Sequence, residues 1–370
     1  MTPRIQLGPL GLTPTISLTN IGVDTNVLNQ ASNPQQDFTF TFVPGVDSTL
    51  EIGRGLLTSK TGVEMTYFAQ VATERSVGFD QQGRFDLRFD KAVPYATAGY
   101  VSTYRRPNAE IDARVGQTTT GYGLGTKLML GWRTSLDLGA RRETLKLEDV
   151  TFDGVNLSTA LDRNSGIVNL NLNVALTPLT TFVVKNTLQQ DRFIYSPERD
   201  TNSLSVVPGF EFKPSALIAG SAYVGFRDLQ VRGTAGAPSV VAAVAAVNLG
   251  YTMRDSTRFE VKVNRDFDYS YETSEPYFLA SGATLTVTQA VGGRWDALGR
   301  IGRENLDYQT IDLQPSGRRD QVFTYGTGVG YHLDIDARIG FDVNYVSRLS
   351  PIASRQYSGF QIGGSFRYGF

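Results

Sequence analysis

The sequence predicts an all-β fold, a transmembrane antiparallel up-and-down β-barrel of about 18 strands, forming a single domain over residues 1–370. Three observations predict it. Apolar and polar residues alternate through segments longer than ordinary soluble strands. Very short connections alternate with longer, more polar ones. The last strand ends on an aromatic residue without a polar tail. Phe370, Tyr368, Phe366, Ile362 and Phe360 fall on one parity, and Gly369, Arg367, Ser365, Gly363 and Gln361 on the other.

Composition permits this fold. Charged residues make up 19% of the chain, below the roughly 25% of soluble domains. The net charge of -1 gives no electrostatic basis for a nucleic-acid partner. The 38 Gly, 17 Tyr and 21 Phe suit tight turns and aromatic belts. A barrel exposing every second residue to lipid keeps a mean hydropathy near that of a soluble protein. The longest apolar run, Val240–Val247, is far too short for a membrane helix. Cysteine is absent, which is compatible with an oxidising periplasm. Met1-Thr2-Pro3-Arg4 lacks an apolar signal region, so a secretion signal is expected to have been removed.

Taken in order, after a short periplasmic N-terminal segment (1–11), the predicted strands are 12–23, 37–52, 56–69, 76–89, 94–104, 111–130, 134–147, 165–176, 180–192, 201–213, 217–230, 240–253, 257–271, 277–290, 295–308, 319–333, 336–348 and 356–370. In 76–89, Val77, Phe79, Phe85, Leu87 and Phe89 oppose Asp80, Gln82, Arg84, Asp86 and Arg88. In 257–271, Phe259, Val261, Val263, Phe267, Tyr269 and Tyr271 oppose Arg258, Glu260, Lys262, Asn264, Asp266 and Asp268, with Arg265 the exception. Short connections such as Gly53-Arg54-Gly55, Arg254-Asp255-Ser256 and Gly292-Gly293-Arg294 carry tight-turn residues. The longer ones include 24–36, 148–164 and 310–317. Eighteen strands then leave both termini on the short-turn side, which in an outer-membrane barrel faces the periplasm.

A soluble propeller would pack four short strands into each hairpin length seen here, and a sandwich of such strands would be outsized. Aromatic residues gather near the short turns: Phe89, Tyr95, Phe182, Phe212, Tyr251, Phe259, Trp295, Tyr331 and Phe370. They predict an outward interfacial girdle. The alternation changes phase within 111–130, between Leu138 and Leu145, and between Ile301 and Leu306; a bulge in the Gly-rich stretch would absorb the first change. Pro208 predicts a local break in its ladder.

Leu10-Gly11-Leu12-Thr13-Pro14, Gly22-Val23-Asp24-Thr25-Asn26-Val27, Ala175-Leu176-Thr177-Pro178-Leu179-Thr180-Thr181, Asp191-Arg192-Phe193, Gly330-Tyr331 and Arg367-Tyr368-Gly369-Phe370 carry a resemblance to a known group. The chain resembles the β-barrel porins associated with exopolysaccharide operons. That resemblance implies a Gram-negative outer-membrane location and a pore for polar solutes, with polysaccharide export as a possible task. It implies no catalytic residues. It implies the outer-membrane lipid and the barrel-assembly machinery as partners, with Phe366, Tyr368 and Phe370 as the terminal assembly signal. A monomer is favoured.

The chemistry needed for an enzyme is thin. Nucleophilic hydrolysis calls for a base near neutral pKa, and the single His332 sits beside a short turn without a nucleophile. No residue pattern calls for a metal or other cofactor. Gly121-Tyr122-Gly123-Leu124-Gly125 lies in a strand, out of context for phosphate binding. Function then falls to the inward face. The predicted pore-lining residues are Arg84, Asp86, Arg88, Arg141, Lys185, Arg258, Glu260, Lys262, Asp266, Arg338 and Asp342. Two other classes stay open: a structural or adhesive barrel closed by inward-folded loops, for which only 24–36 and 148–164 are expected to be long enough, and a barrel enzyme.

Overall fold

The structure, a computed structural model, describes residues 3–232 and 239–369. Eighteen antiparallel strands close into one barrel. They are β1 (Leu10–Asp24), β2 (Asp37–Ile52), β3 (Gly55–Phe68), β4 (Ser76–Leu87), β5 (Ala92–Arg105), β6 (Val115–Met129), β7 (Thr134–Leu147), β8 (Arg163–Ala175), β9 (Thr180–Phe193), β10 (Thr201–Phe212), β11 (Ile218–Val231), β12 (Ser239–Met253), β13 (Thr257–Tyr269), β14 (Tyr277–Gly292), β15 (Trp295–Gln309), β16 (Pro315–Asp334), β17 (Ala337–Leu349) and β18 (Tyr357–Tyr368). Each pairs with its sequence neighbours, and β1 pairs with β18 to remove the edges, with Ile16 opposite Tyr368 and Val23 opposite Ile362. At the N-terminus, Ile5–Leu7 folds back on Leu10–Leu12, and β1 begins two residues before the predicted start.

Tight connections follow turn chemistry. Gly53 takes a positive φ of 57° between β2 and β3, and Arg254 and Asp255 both sit in the left-handed region (51° and 55°) between β12 and β13. At Pro208 the β10–β11 ladder is interrupted between Val206–Phe226 and Gly209–Tyr223, without a change of register. Gly225 faces this gap, where a Cβ would lie 2.1 Å from the Val206 carbonyl oxygen.

The phase changes have a different cause from the predicted bulge. Strand β6 starts only at Val115, so Ile111 and Ala113 belong to the preceding connection. Leu145 and Leu147 keep their ladder register on β7, opposite Arg163 and Gln117. They are apolar on the inward parity because they pack into the mouth of the barrel against Ile111, Val115, Leu157 and Leu161. Leu306 and Tyr308 likewise turn inward, onto Phe278 and Ala109.

One seam of the wall is incomplete at the long-loop end. The β12–β13 ladder ends at Ala245 opposite Arg265, whereas β13–β14 pairing continues to Tyr269 opposite Tyr277. The tip of the β13–β14 hairpin therefore leaves the wall and folds into the barrel. Its Tyr269 hydroxyl donates to Asp191 Oδ2 (2.6 Å), and its ring meets Phe193 edge-on at 5.0 Å.

Candidate functional site: the lumen and its inward-folded loops

Directly paired residues share a sheet face, so register maps the wall. Arg84 lies between Thr58 and Thr97, and Arg141 between Gly123 and Ile167. Lys185 lies between Asn171 and Val207, and Lys262 between Asn248 and Thr284. The intervening positions are apolar and exposed on the outside, including Leu124, Val168, Phe226, Val261, Ile301 and Phe341. Most predicted pore residues are paired. Arg84 meets Asp86 (2.8 Å), Arg258 meets Glu260 (2.8 Å) and Arg141 meets Glu143 (3.4 Å). Lys185 meets Glu211 (3.9 Å), Arg88 meets Glu51 at a short-turn end (3.6 Å), and Asp266 meets Arg227 (3.0 Å). Arg338 grips Asp296 through two bonds (2.8 and 2.6 Å), and His332 Nε2 shares the same carboxylate at 2.7 Å. Asp342 accepts from Ser365 (3.1 Å), while Lys262 has no ion-pair partner among the described residues. Such exposed pairs contribute little stability; they set the field along the lumen.

Tyr95 departs from the predicted outward girdle. It is directly paired with Asp86 and Gly125 on the inward parity, because its hydroxyl donates to Asp137 (2.8 Å) and the Arg84 guanidinium covers its ring at 3.8 Å. Tyr223 repeats the arrangement, with its hydroxyl on Glu211 and Lys185 Nζ 3.7 Å from its ring centre. A cavity of about 690 Å³ opens between β1 and β7, lined by Thr13, Asp47, Lys60, Arg84, Arg141 and Glu143. Phe366 and Tyr368 lie on β18 opposite Ile339 and Ala337, and Phe370 lies outside the described residues.

At the long-loop end the connections fold inward and interlock. Segment 106–114 occupies the centre. Arg348, fully buried on β17, donates to the carbonyls of Ala109 (3.2 Å) and Glu110 (2.9 Å), and to Asp112 (2.9 Å) and Asp320 (2.5 Å). Arg318 donates to Glu272 (2.6 Å) and Glu275 (2.9 Å) of the 270–276 connection. Arg355 reaches Asp153 at 2.9 Å. The buried Arg199 binds three carbonyls, of Ala160 (2.6 Å), Ser270 (2.6 Å) and Glu272 (2.7 Å). Arg106 binds the carbonyls of Asp112 and Val27. Beneath these polar links lies the apolar cluster of Ile111, Leu147, Leu157, Leu161 and Tyr271.

Glu110 is fully buried, accepting from the Ser270 hydroxyl (2.7 Å) and the Tyr271 N–H (3.2 Å). Burial pushes its carboxyl up to about 8. Burial also raises Asp112, against the pull of Arg348, and lowers Arg106 and Arg199. Sequence reasoning missed Glu110, Arg199, Asp320 and Arg355 as members of this mouth. The available signal was the set of apolar residues on the polar parity near the long loops, Leu145, Leu147 and Leu306.

Against known proteins, residues 5–368 match the model of the family described as "Putative beta-barrel porin 2". The chain belongs to this family. The family and its fold neighbours make it a porin-like channel fold of the outer membrane. Among solved structures, the porin is similar to Pseudomonas aeruginosa OccK2 (OpdF), with 12% identity, 96% of this chain and 97% of that chain covered, and a TM-score of 0.56. The same protein in complex with glucuronate gives 9% identity, 97% and 98% coverage, and 0.54. A BenF-like porin from Pseudomonas fluorescens Pf-5 gives 10%, 97% and 99%, and 0.51. At these identities the likeness is one of fold. No curated protein matches the sequence.

Proposed function

We propose that this porin is a monomeric conduit for small polar solutes, with its termini and short turns in the periplasm and its inward-folded loops at the outer mouth. The observation that carries the reading is the two-sided wall, apolar residues outside and charged residues inside, with a cavity of about 690 Å³ against its β1–β7 part. That space suits a solute of sugar size, and a sugar acid is the first to test, since the OccK2 structure of the same fold is a complex with glucuronate. Arg84, Asp86, Arg88, Arg141, Lys185, Arg258, Glu260, Lys262, Asp266, Arg338 and Asp342 form the polar lining in this reading. The resemblance to porins of exopolysaccharide operons supports polysaccharide export as a second use. A polymer would require segment 106–114 to move aside, because that segment is tied down by Arg348.

Planar-bilayer recording tests the proposal. The expected result is a steady conductance with weak ion selectivity, since most lumen charges pair with an opposite charge. A sugar acid should lower the current reversibly. Block by a long polysaccharide and not by a short sugar would assign export. A membrane with inserted protein and no current would assign a closed structural barrel and overturn the pore.

A further inference from the structure

We infer that the outer surface of β7–β9, just beyond the apolar band on the long-loop side, binds the phosphate groups of an anionic outer-leaflet lipid. On each strand the outward face changes from apolar to polar towards the long loops. On β7 it runs Leu136, Leu138, Ala140 and then Arg142, Thr144, Lys146. On β8 it runs from Val168 to Gly166 and Asn164, and on β9 from Leu188 to Gln190 and Arg192. A lipid phosphate lies at this boundary between acyl chains and water.

The outward strand faces there carry charge of one sign. The outward faces of β5 to β10 carry no carboxylate. Arg142 and Lys146 are exposed and make no side-chain hydrogen bond or ion pair among the described residues. Two strands from Arg142, the Arg192 guanidinium is held at this level by the carbonyls of Asp191 and Thr201 (2.8 Å each), by Asn202 (2.7 Å) and by an ion pair with Asp200 (3.8 Å). Between them Gly166 leaves open space, since nothing lies within 4 Å of where its Cβ would be. The acids that follow in the loop are engaged elsewhere: Glu148 with the Gly116 N–H and Asp149 with Asn156. The other side of the barrel differs. There Arg319 is paired with Asp307, and Arg303 is bound to Asn305 and lies over Phe323. Two free cations, Arg142 and Lys146, beside an open notch at phosphate depth thus mark β7–β9 as the lipid-binding side.

This inference rests on the orientation proposed above, and the experiment separates the two. Purified protein in neutral detergent is titrated with lipopolysaccharide, and with the same glycolipid after enzymatic removal of its phosphates. Retention is read by native mass spectrometry. Wild type should retain the phosphorylated form and lose most of the other. R142Q/K146Q should retain it about thirtyfold less well, the order expected for losing two interfacial cations, with unchanged conductance and gel mobility as evidence of folding. R303Q should behave as wild type. Equal retention by R142Q/K146Q and wild type, or equal binding of the dephosphorylated glycolipid, would overturn the inference. Orientation is read separately from Ser32→Cys, an exposed position in a chain without native cysteine, using an impermeant maleimide on intact cells. Labelling supports the outer leaflet. Absence of labelling overturns the orientation and the outer-leaflet partner, while retention in detergent still reports on the surface itself.

Discussion

Glu110 shows how one residue can couple the mouth of the barrel to pH. Its carboxyl is buried among Ser270, Tyr271, Arg355, Arg318 and Glu272, and is raised to about 8. A group raised in the docked state weakens docking as pH climbs. The undocked segment loses its proton near the ordinary glutamate value, whereas the docked one keeps it until about 8, and the loss is complete above that. Amide-exchange protection of 106–114 is therefore expected to fall between about pH 4.5 and about pH 8, and Glu110→Gln to flatten the change. Constant protection in the wild type would contradict this. Residue parity supports a second prediction. Val261→Arg and Phe341→Arg should each destabilise the barrel by about 2–4 kcal/mol near the bilayer midplane. Lys262→Val and Asp342→Val should cost much less, as read from urea unfolding in detergent; the reverse ranking would invert the assigned faces. Parity of this kind is legible in sequence because lipid and water act on alternate residues. The role of Glu110 is not, because nothing local states which connection folds inward.

Among the elements, all eighteen strands were legible, because each needs its own length, alternation and turn chemistry. The error at 111–114 has a physical origin. Ile111 and Ala113 alternate as a strand would, yet their apolar faces are satisfied by β7 and the 157–161 helical turn. Leu145 and Leu147 read as a slipped phase for the same reason: an inward-folded loop supplies an apolar surface where lumen water was expected. The tip of β13–β14 hid in the same way, since Phe267 and Tyr269 keep outward parity while pressing on the inner wall. Arg348 holds this arrangement together. Arg348→Met would leave Asp112 without its guanidinium and Asp320 with that of Arg318 alone (3.2 Å), a loss of about 3–5 kcal/mol for a buried pair broken on one side. The strands do not depend on that bond, so the expected outcome is faster proteolysis within 106–114 and a larger, noisier conductance, with gel mobility unchanged. A conductance equal to wild type would show that 106–114 does not limit the passage.

For the whole molecule, closure is the decisive event. Strand β18 pairs on one side with β17 and on the other with β1, so the last strand completes the last seam. Until it does, β1 and β18 each present an unpaired edge, and lipid offers no partner for exposed backbone. The described pairs end at Tyr368, which faces both Ile16 and Ala337. Deleting Phe370 keeps these pairs of Tyr368 in place. If the terminal aromatic is read by the assembly machinery, as the resemblance to other outer-membrane barrels implies, the deletion should act on insertion alone. The amount of heat-modifiable protein in the outer membrane is expected to fall several-fold, while the purified variant refolds in detergent with the wild-type yield and urea midpoint. A matching loss in both assays would make Phe370 a stabilising residue. No loss in either would leave the terminal aromatic without a role in assembly.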